Sequence, residues 1–165
     1  MGLKEPGLRG SLRNVSVGID VIPDSVTSRP DDDNDGTSTD SQGIVINPKS
    51  DFGSVGARIS NNTEDPERAR LYDYSNESYI ATADLSDKNT GDTFKFEVEI
   101  KEGQDYGIEV DADGDTYIIG TANDADDFPY TGDDINIVGE SDGGTKTTNR
   151  CVGVDDVGNP DGVLD

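Results

Sequence analysis

Carboxylates are the only abundant reactive groups in this chain, and two short runs space them as cation ligands. Asp31, Asp33 and Asp35, followed by Gly36, match the first half of a calcium loop, with oxygen side chains at alternate positions and a glycine for the sharp turn. The twelfth loop position is Gln42, where a bidentate Glu is expected, and no helical pattern flanks the run, so an EF-hand is not expected. Asp111, Asp113 and Asp115 repeat the spacing at a predicted turn, where Ca²⁺, Mg²⁺ or concentrated K⁺ would relieve the repulsion between carboxylates. Both runs also suit a solvated acidic turn or linker, with no ion bound. Asp124, Asp126, Asp127, Asp133 and Asp134 form a third acidic patch of surface character.

Catalysis finds little support in the residue types. Histidine is absent, which removes the commonest general base and every Ser-His or Cys-His pair. The single cysteine, Cys151, excludes an internal disulfide and a cysteine-rich metal centre. Carboxylate pairs for glycoside hydrolysis arise by chance among so many acids, and that chemistry also needs a groove and one raised pKa. The expectation is a protein that is not an enzyme. The tyrosines are of more interest: Tyr72, Tyr74 and Tyr79 lie in or beside one predicted strand pair, and Tyr130 follows Phe128-Pro129 on a loop. Exposed rings there would contact a host surface glycan or a protein seam; turned inward, they would fill the core.

The elements that must position these residues are short strands. Ile44–Ile46 is an apolar run closed by Pro48; Val55, Ala57 and Ile59 alternate with polar or small neighbours, as do Ala69 and Leu71. Tyr79-Ile80-Ala81 follows a turn at Asn76. In Thr93–Ile100 the residues Phe94, Phe96, Val98 and Ile100 face one way, and the turn at Glu102-Gly103 predicts Tyr106, Ile108 and Val110 as the partner strand. Asp113-Gly114 predicts a hairpin into Tyr117-Ile118-Ile119, and a last strand covers Ile135–Val138. No segment has a helical period. Strands this short, with turns this frequent, predict an all-β, antiparallel, jelly-roll-like β-sandwich with an extended N-terminal arm.

Charge divides the chain. Its formal charge is −23 over 165 residues, yet residues 1–29 carry four basic groups (Lys4, Arg9, Arg13, Arg29) against three acidic ones. The strongly negative remainder repels nucleic acid and anionic membrane, and no apolar stretch is long enough for a signal peptide or a membrane span. Only 30% of residues are apolar, so the core must be small. The composition resembles that of a haloarchaeal protein, or of a virus infecting such cells: at molar salt the Debye length shrinks from about 10 Å to about 3 Å and this surface becomes well hydrated.

Several pieces, in order, resemble a β-sandwich module of virion structural proteins (tail fibre, baseplate or capsid appendage) of haloarchaeal tailed viruses. They are Gly43-Ile44-Val45-Ile46-Asn47-Pro48, Val55 to Asn62, Gly91-Asp92-Thr93-Phe94, Gly103 to Ile108, Val110 to Gly114 and Phe128-Pro129-Tyr130-Thr131. Leu8 to Asn14 likewise resembles the N-terminal segment of such proteins. The resemblance implies a structural subunit on the virion surface, made in the host cytoplasm, and brings no catalytic residues.

The expected organisation is an attachment arm over 1–29, an acidic linker over 30–42, a sandwich over 43–139 and a tail over 140–165. Leu8, Arg9, Leu12, Arg13, Val15, Val17 and Ile19 would dock the arm on an acidic neighbour or add a strand to another subunit's sheet. The expected partners are further copies of the chain in a homo-oligomer and other virion proteins, with a host glycan as a further contact. The alternative is a monomeric carbohydrate- or cell-surface-binding module that uses Tyr72, Tyr74, Tyr79 and Tyr130.

Overall fold

A computed structural model describes residues 19–29, 34–38, 41–60, 63, 65–112, 117–120, 128–147 and 153–165. Two antiparallel sheets face each other. One has four strands in the order β1 (Val26–Ser28), β12 (Val154–Gly158), β4 (Val55–Ile59), β7 (Thr93–Phe96). The other has six, in the order β11 (Thr145–Thr147), β10 (Ile135–Asp142), β3 (Gln42–Pro48), β8 (Tyr106–Ala112), β5 (Pro66–Asp73), β6 (Ser78–Asp84). A separate two-stranded ribbon pairs β2 (Asn34–Ser38) with β9 (Tyr117–Gly120). Without the β10–β11 hairpin, the principal strands interleave as β1-β12-β4-β7 over β3-β8-β5-β6, the nested arrangement of a jelly roll. Among the described residues no helix is long and apolar enough to cross a membrane.

Period-two alternation builds the core. Ile44, Ile46, Ile108, Val110, Ala69 and Leu71 project from the six-stranded sheet, and Val55, Ala57, Ile59, Phe94 and Phe96 from the other; all are buried. Pairing is in register: Ile44 lies opposite Ile108, and Ile108 opposite Leu71, so one apolar layer runs across three strands.

Several expected connections differ. Val110's strand does not return beside Phe94's: β7 pairs with β4, whereas β8 lies between β3 and β5 in the opposite sheet. The turn at Gly103 thus carries the chain between layers, which alternation alone cannot distinguish from a hairpin. β9 likewise pairs with β2 and not with β8, so Asp113-Gly114 does not join two paired strands, and part of the expected linker is itself a strand. The sandwich also extends past Gly139. β12 lies between β1 and β4, and β10 runs on to Asp142 beside β3, so residues placed in the tail form central structure. At the other end β1 pairs with β12, and Gly53 N–H donates to the Val21 carbonyl at 2.8 Å. Residues 19–29 are therefore part of the sandwich, and an arm can begin only before Ile19. The expected turn at Asn76 does join β5 to β6.

Candidate functional site

The two long sides of the sandwich differ. On the β1/β10 side, side chains stitch the sheets together. Thr27 Oγ1 donates to the Ile135 carbonyl at 2.6 Å, and Arg29 Nη2 meets Glu140 Oε1 at 3.0 Å with both side chains buried. Asp134 Oδ2 accepts from Asp24 N–H, Ser25 N–H and Ser25 Oγ. Burial alone would raise the pKa of Asp134, but these donors outweigh it and hold the carboxyl below its ordinary value. The Arg29 guanidinium also lies 5.9 Å over the Phe128 ring, and Phe128 meets Tyr130 edge-on.

On the β6/β7 side the two edge strands also approach each other. A groove of about 490 Å³ lies against them, lined by apolar Ile80, Phe96 and Val98 and by polar Thr82, Lys95 and Glu97. Its backbone is available for pairing. Leu85 N–H donates to the Glu67 carbonyl, so by alternation Ala83 and Ala81 bond to β5 while Thr82 and Asp84 turn their N–H and C=O outward. Ile59 N–H donates to the Asp92 carbonyl, which by the same rule leaves Thr93 and Lys95 of β7 facing outward. Charged residues, proline and bulges usually blunt such edges. From Ser78 to Ala83, β6 carries no charge, in a chain 30% charged.

The outer face of the six-stranded sheet holds a polar cluster centred on Glu109, which is 0% exposed. Its Oε1 accepts from Tyr79 OH at 2.6 Å and Ser41 Oγ at 3.1 Å; its Oε2 accepts from Ser141 Oγ at 2.5 Å and Gly144 N–H at 2.8 Å. Tyr74 OH lies 2.6 Å from Ser141 Oγ; with the serine proton directed to Glu109, the tyrosine is the donor there. Burial is the main cause raising the Tyr74 phenol to about 12, and it raises Tyr79 as well, where the Glu109 hydrogen bond acts in the same direction. Two glycines make the packing possible. A Cβ on Gly107 would lie 2.4 Å from Ser141 Oγ, and Gly144, at φ +82°, lies against the Tyr72 ring.

Tyr72, Tyr74 and Tyr79 are thus brought together, with centroids 4.9 and 5.0 Å apart in edge-to-face contact. Arg70 lies 4.0 Å over Tyr79 and Lys146 4.8 Å over Tyr74, so cations already occupy ring faces of the outer two tyrosines. Tyr130 is elsewhere, bridged to Ile137 on β10.

Of the candidate cation ligands, Asp111 meets Arg68 Nε at 2.5 Å and Arg70 Nη2 at 3.7 Å. Asp35 lies on β2, while Asp31, Asp33, Asp113 and Asp115 fall outside the described residues. Among the described residues no group of three or more His, Cys, Asp or Glu side chains is placed to hold a metal ion. Leu8, Arg9, Leu12, Arg13, Val15, Val17 and Cys151 also fall outside them; Ile19, half-buried, packs its carbonyl against Gly53. Sequence reasoning missed Glu109 and the edge position of β6. Glu109 occupies a polar phase of β8 that alternation assigns to solvent, and which strand ends a sheet depends on partner choice that alternation does not encode.

No family model, curated protein or solved structure matches this chain.

Proposed function

We propose that this chain is a non-enzymatic structural subunit that assembles with further copies and other particle proteins on the exterior of a haloarchaeal virus particle. The observation that carries the assembling role is the edge of the six-stranded sheet: among the described residues no strand lies beyond β6, and from Ser78 to Ala83 it carries no charge to blunt pairing with another chain. The virion setting rests on the acidic composition and on the order of the resembling pieces from Gly43 to Thr131. Jelly rolls serve capsids and lectins alike, so the fold by itself does not choose between them. The state of the tyrosines favours the structural role over a glycan platform. Tyr74 and Tyr79 have their hydroxyls engaged and ring faces covered by Lys146 and Arg70.

Light scattering in multi-molar KCl tests this. The full chain is expected as a defined oligomer, and the chain without residues 1–18 as a smaller species that retains its β-sheet circular dichroism. A full-length monomer at all concentrations would remove self-assembly from the proposal.

A further inference from the structure

We infer that β6 pairs antiparallel with β6 of a second copy about a two-fold axis at Thr82, so that two six-stranded sheets become one. This rests on the assembling role proposed above and names the surface and its occupant.

The four edges of the two sheets are not equivalent. β1 and β11 have three residues each, and β7 has four. β11 carries Lys146 and β7 carries Lys95, the kind of charge that keeps an edge from pairing with another chain. β6 has seven residues, and Ser78 to Ala83 hold no charge. Among the described strands of these sheets, β6 is the long and uncharged edge.

Charge also selects the occupant. The chain carries −23, so a second copy approaches at least cost where both surfaces are close to neutral. The rim formed by residues 78–84 and 93–98 holds Lys95 against Asp84 and Glu97, and Lys95 lies 3.0 Å from Glu97. Two such rims meet with little repulsion. An edge strand is also its own complement, because outward N–H and C=O groups at alternate residues match an identical strand running the other way.

Asp84 sets the register. Outward backbone groups belong to Thr82 and Asp84, so the axis lies on Asp84, on Ala83 between them, or on Thr82. On Asp84 it places the two carboxylates directly opposite, which is destabilising, and on Ala83 it places them diagonally, about 7–8 Å apart. On Thr82 each Asp84 falls opposite Ile80 of the other copy, roughly 14 Å from its twin. Thr82 then meets Thr82, exchanging two N–H···O=C bonds, and Ala81 meets Ala83 with no bulk to clash. Thr82 is exposed, as this pairing requires.

Disulfide trapping of the full-length chain in multi-molar KCl tests the register. All chains carry Cys151→Ser; one form adds Thr82→Cys, and a control adds Glu102→Cys on an exposed turn. Residues exchanging both bonds in such a pair have Cα atoms about 5.5 Å apart, within disulfide reach. Mild oxidation is expected to link position 82 to position 82 of another chain in several-fold excess over the control. Equal yields at the two positions would overturn the inference. Thr82→Pro is the second variant: it removes the N–H that the axial pair exchanges. It is expected to keep the β-sheet circular dichroism while weakening association at least tenfold in a dilution series followed by light scattering. Unchanged association in Thr82→Pro counts against the edge in the same way. An oligomer that persists in scattering without the 82–82 link sinks the edge and leaves the assembling role standing, whereas a monomer throughout sinks both.

Discussion

Glu109 shows how a charged residue becomes a structural centre. Four donors converge on a carboxylate with no exposed surface, from Ser41, Tyr79, Ser141 and Gly144. Glu109→Leu would leave the buried Ser141 hydroxyl and the partly buried Gly144 N–H without their acceptor, and is expected to destabilise the fold by about 3 kcal/mol in denaturant titration. Gly144→Ala faces both a φ of +82° and the Tyr72 ring 2.9 Å from the new methyl carbon, and should cost at least ~1 kcal/mol in the same measurement. Tyr74 sets an alkaline limit. Its pKa rises from the ordinary 10.0 to about 12 in the fold, so between these values the unfolded chain has lost a proton that the folded chain retains. Stability is therefore full below pH 10 and falls as pH rises towards 12. Melting temperatures over that range are expected to decline less steeply in Tyr74→Phe than in the parent.

At the scale of elements, β12 and β6 carry opposite lessons. β12 arrives last in the chain yet pairs with β1 on one side and β4 on the other. Removing residues 153–165 is expected to abolish the cooperative unfolding transition and the protease resistance of the whole sandwich, because it splits the four-stranded sheet and exposes the core beneath Val154 and Val157. β6 is instead an edge: Thr82 turns its N–H away from β5, so Thr82→Pro removes no ladder bond among the described strands and is expected to leave the melting temperature nearly unchanged.

For the whole molecule, net charge governs how readily the fold is maintained. A charge of −23 on 165 residues opposes compaction at low ionic strength. Raising KCl from about 0.1 M to about 1 M cuts the Debye length from ~10 Å to ~3 Å, and the melting temperature is expected to climb over that interval. Replacing KCl by an uncharged osmolyte at equal osmolarity should give a smaller rise if screening is the cause. The buried pair of Arg29 and Glu140 is shielded from bulk ions and should hold across the series, while the exposed Lys95–Glu97 pair weakens.

The sequence determined the fold class. Period-two alternation around Ile44, Val55, Leu71, Phe94 and Ile108 assigns strands and their buried faces, because a side chain's face depends only on its neighbours in the strand. The β5–β6 hairpin was legible for the same local reason, since a short turn fixes its own pairing. Partner choice was not. That β8 crosses to the other sheet, that β9 seeks β2, and that the last strand fills the gap between β1 and β4 follow from which apolar faces cover one another in three dimensions. The same holds for the candidate sites. Residue types named Tyr72, Tyr74 and Tyr79, but only the tertiary structure enclosed Glu109 beneath them and stitched β1 to β10 across the sheets, because each depends on contacts between residues far apart in the chain.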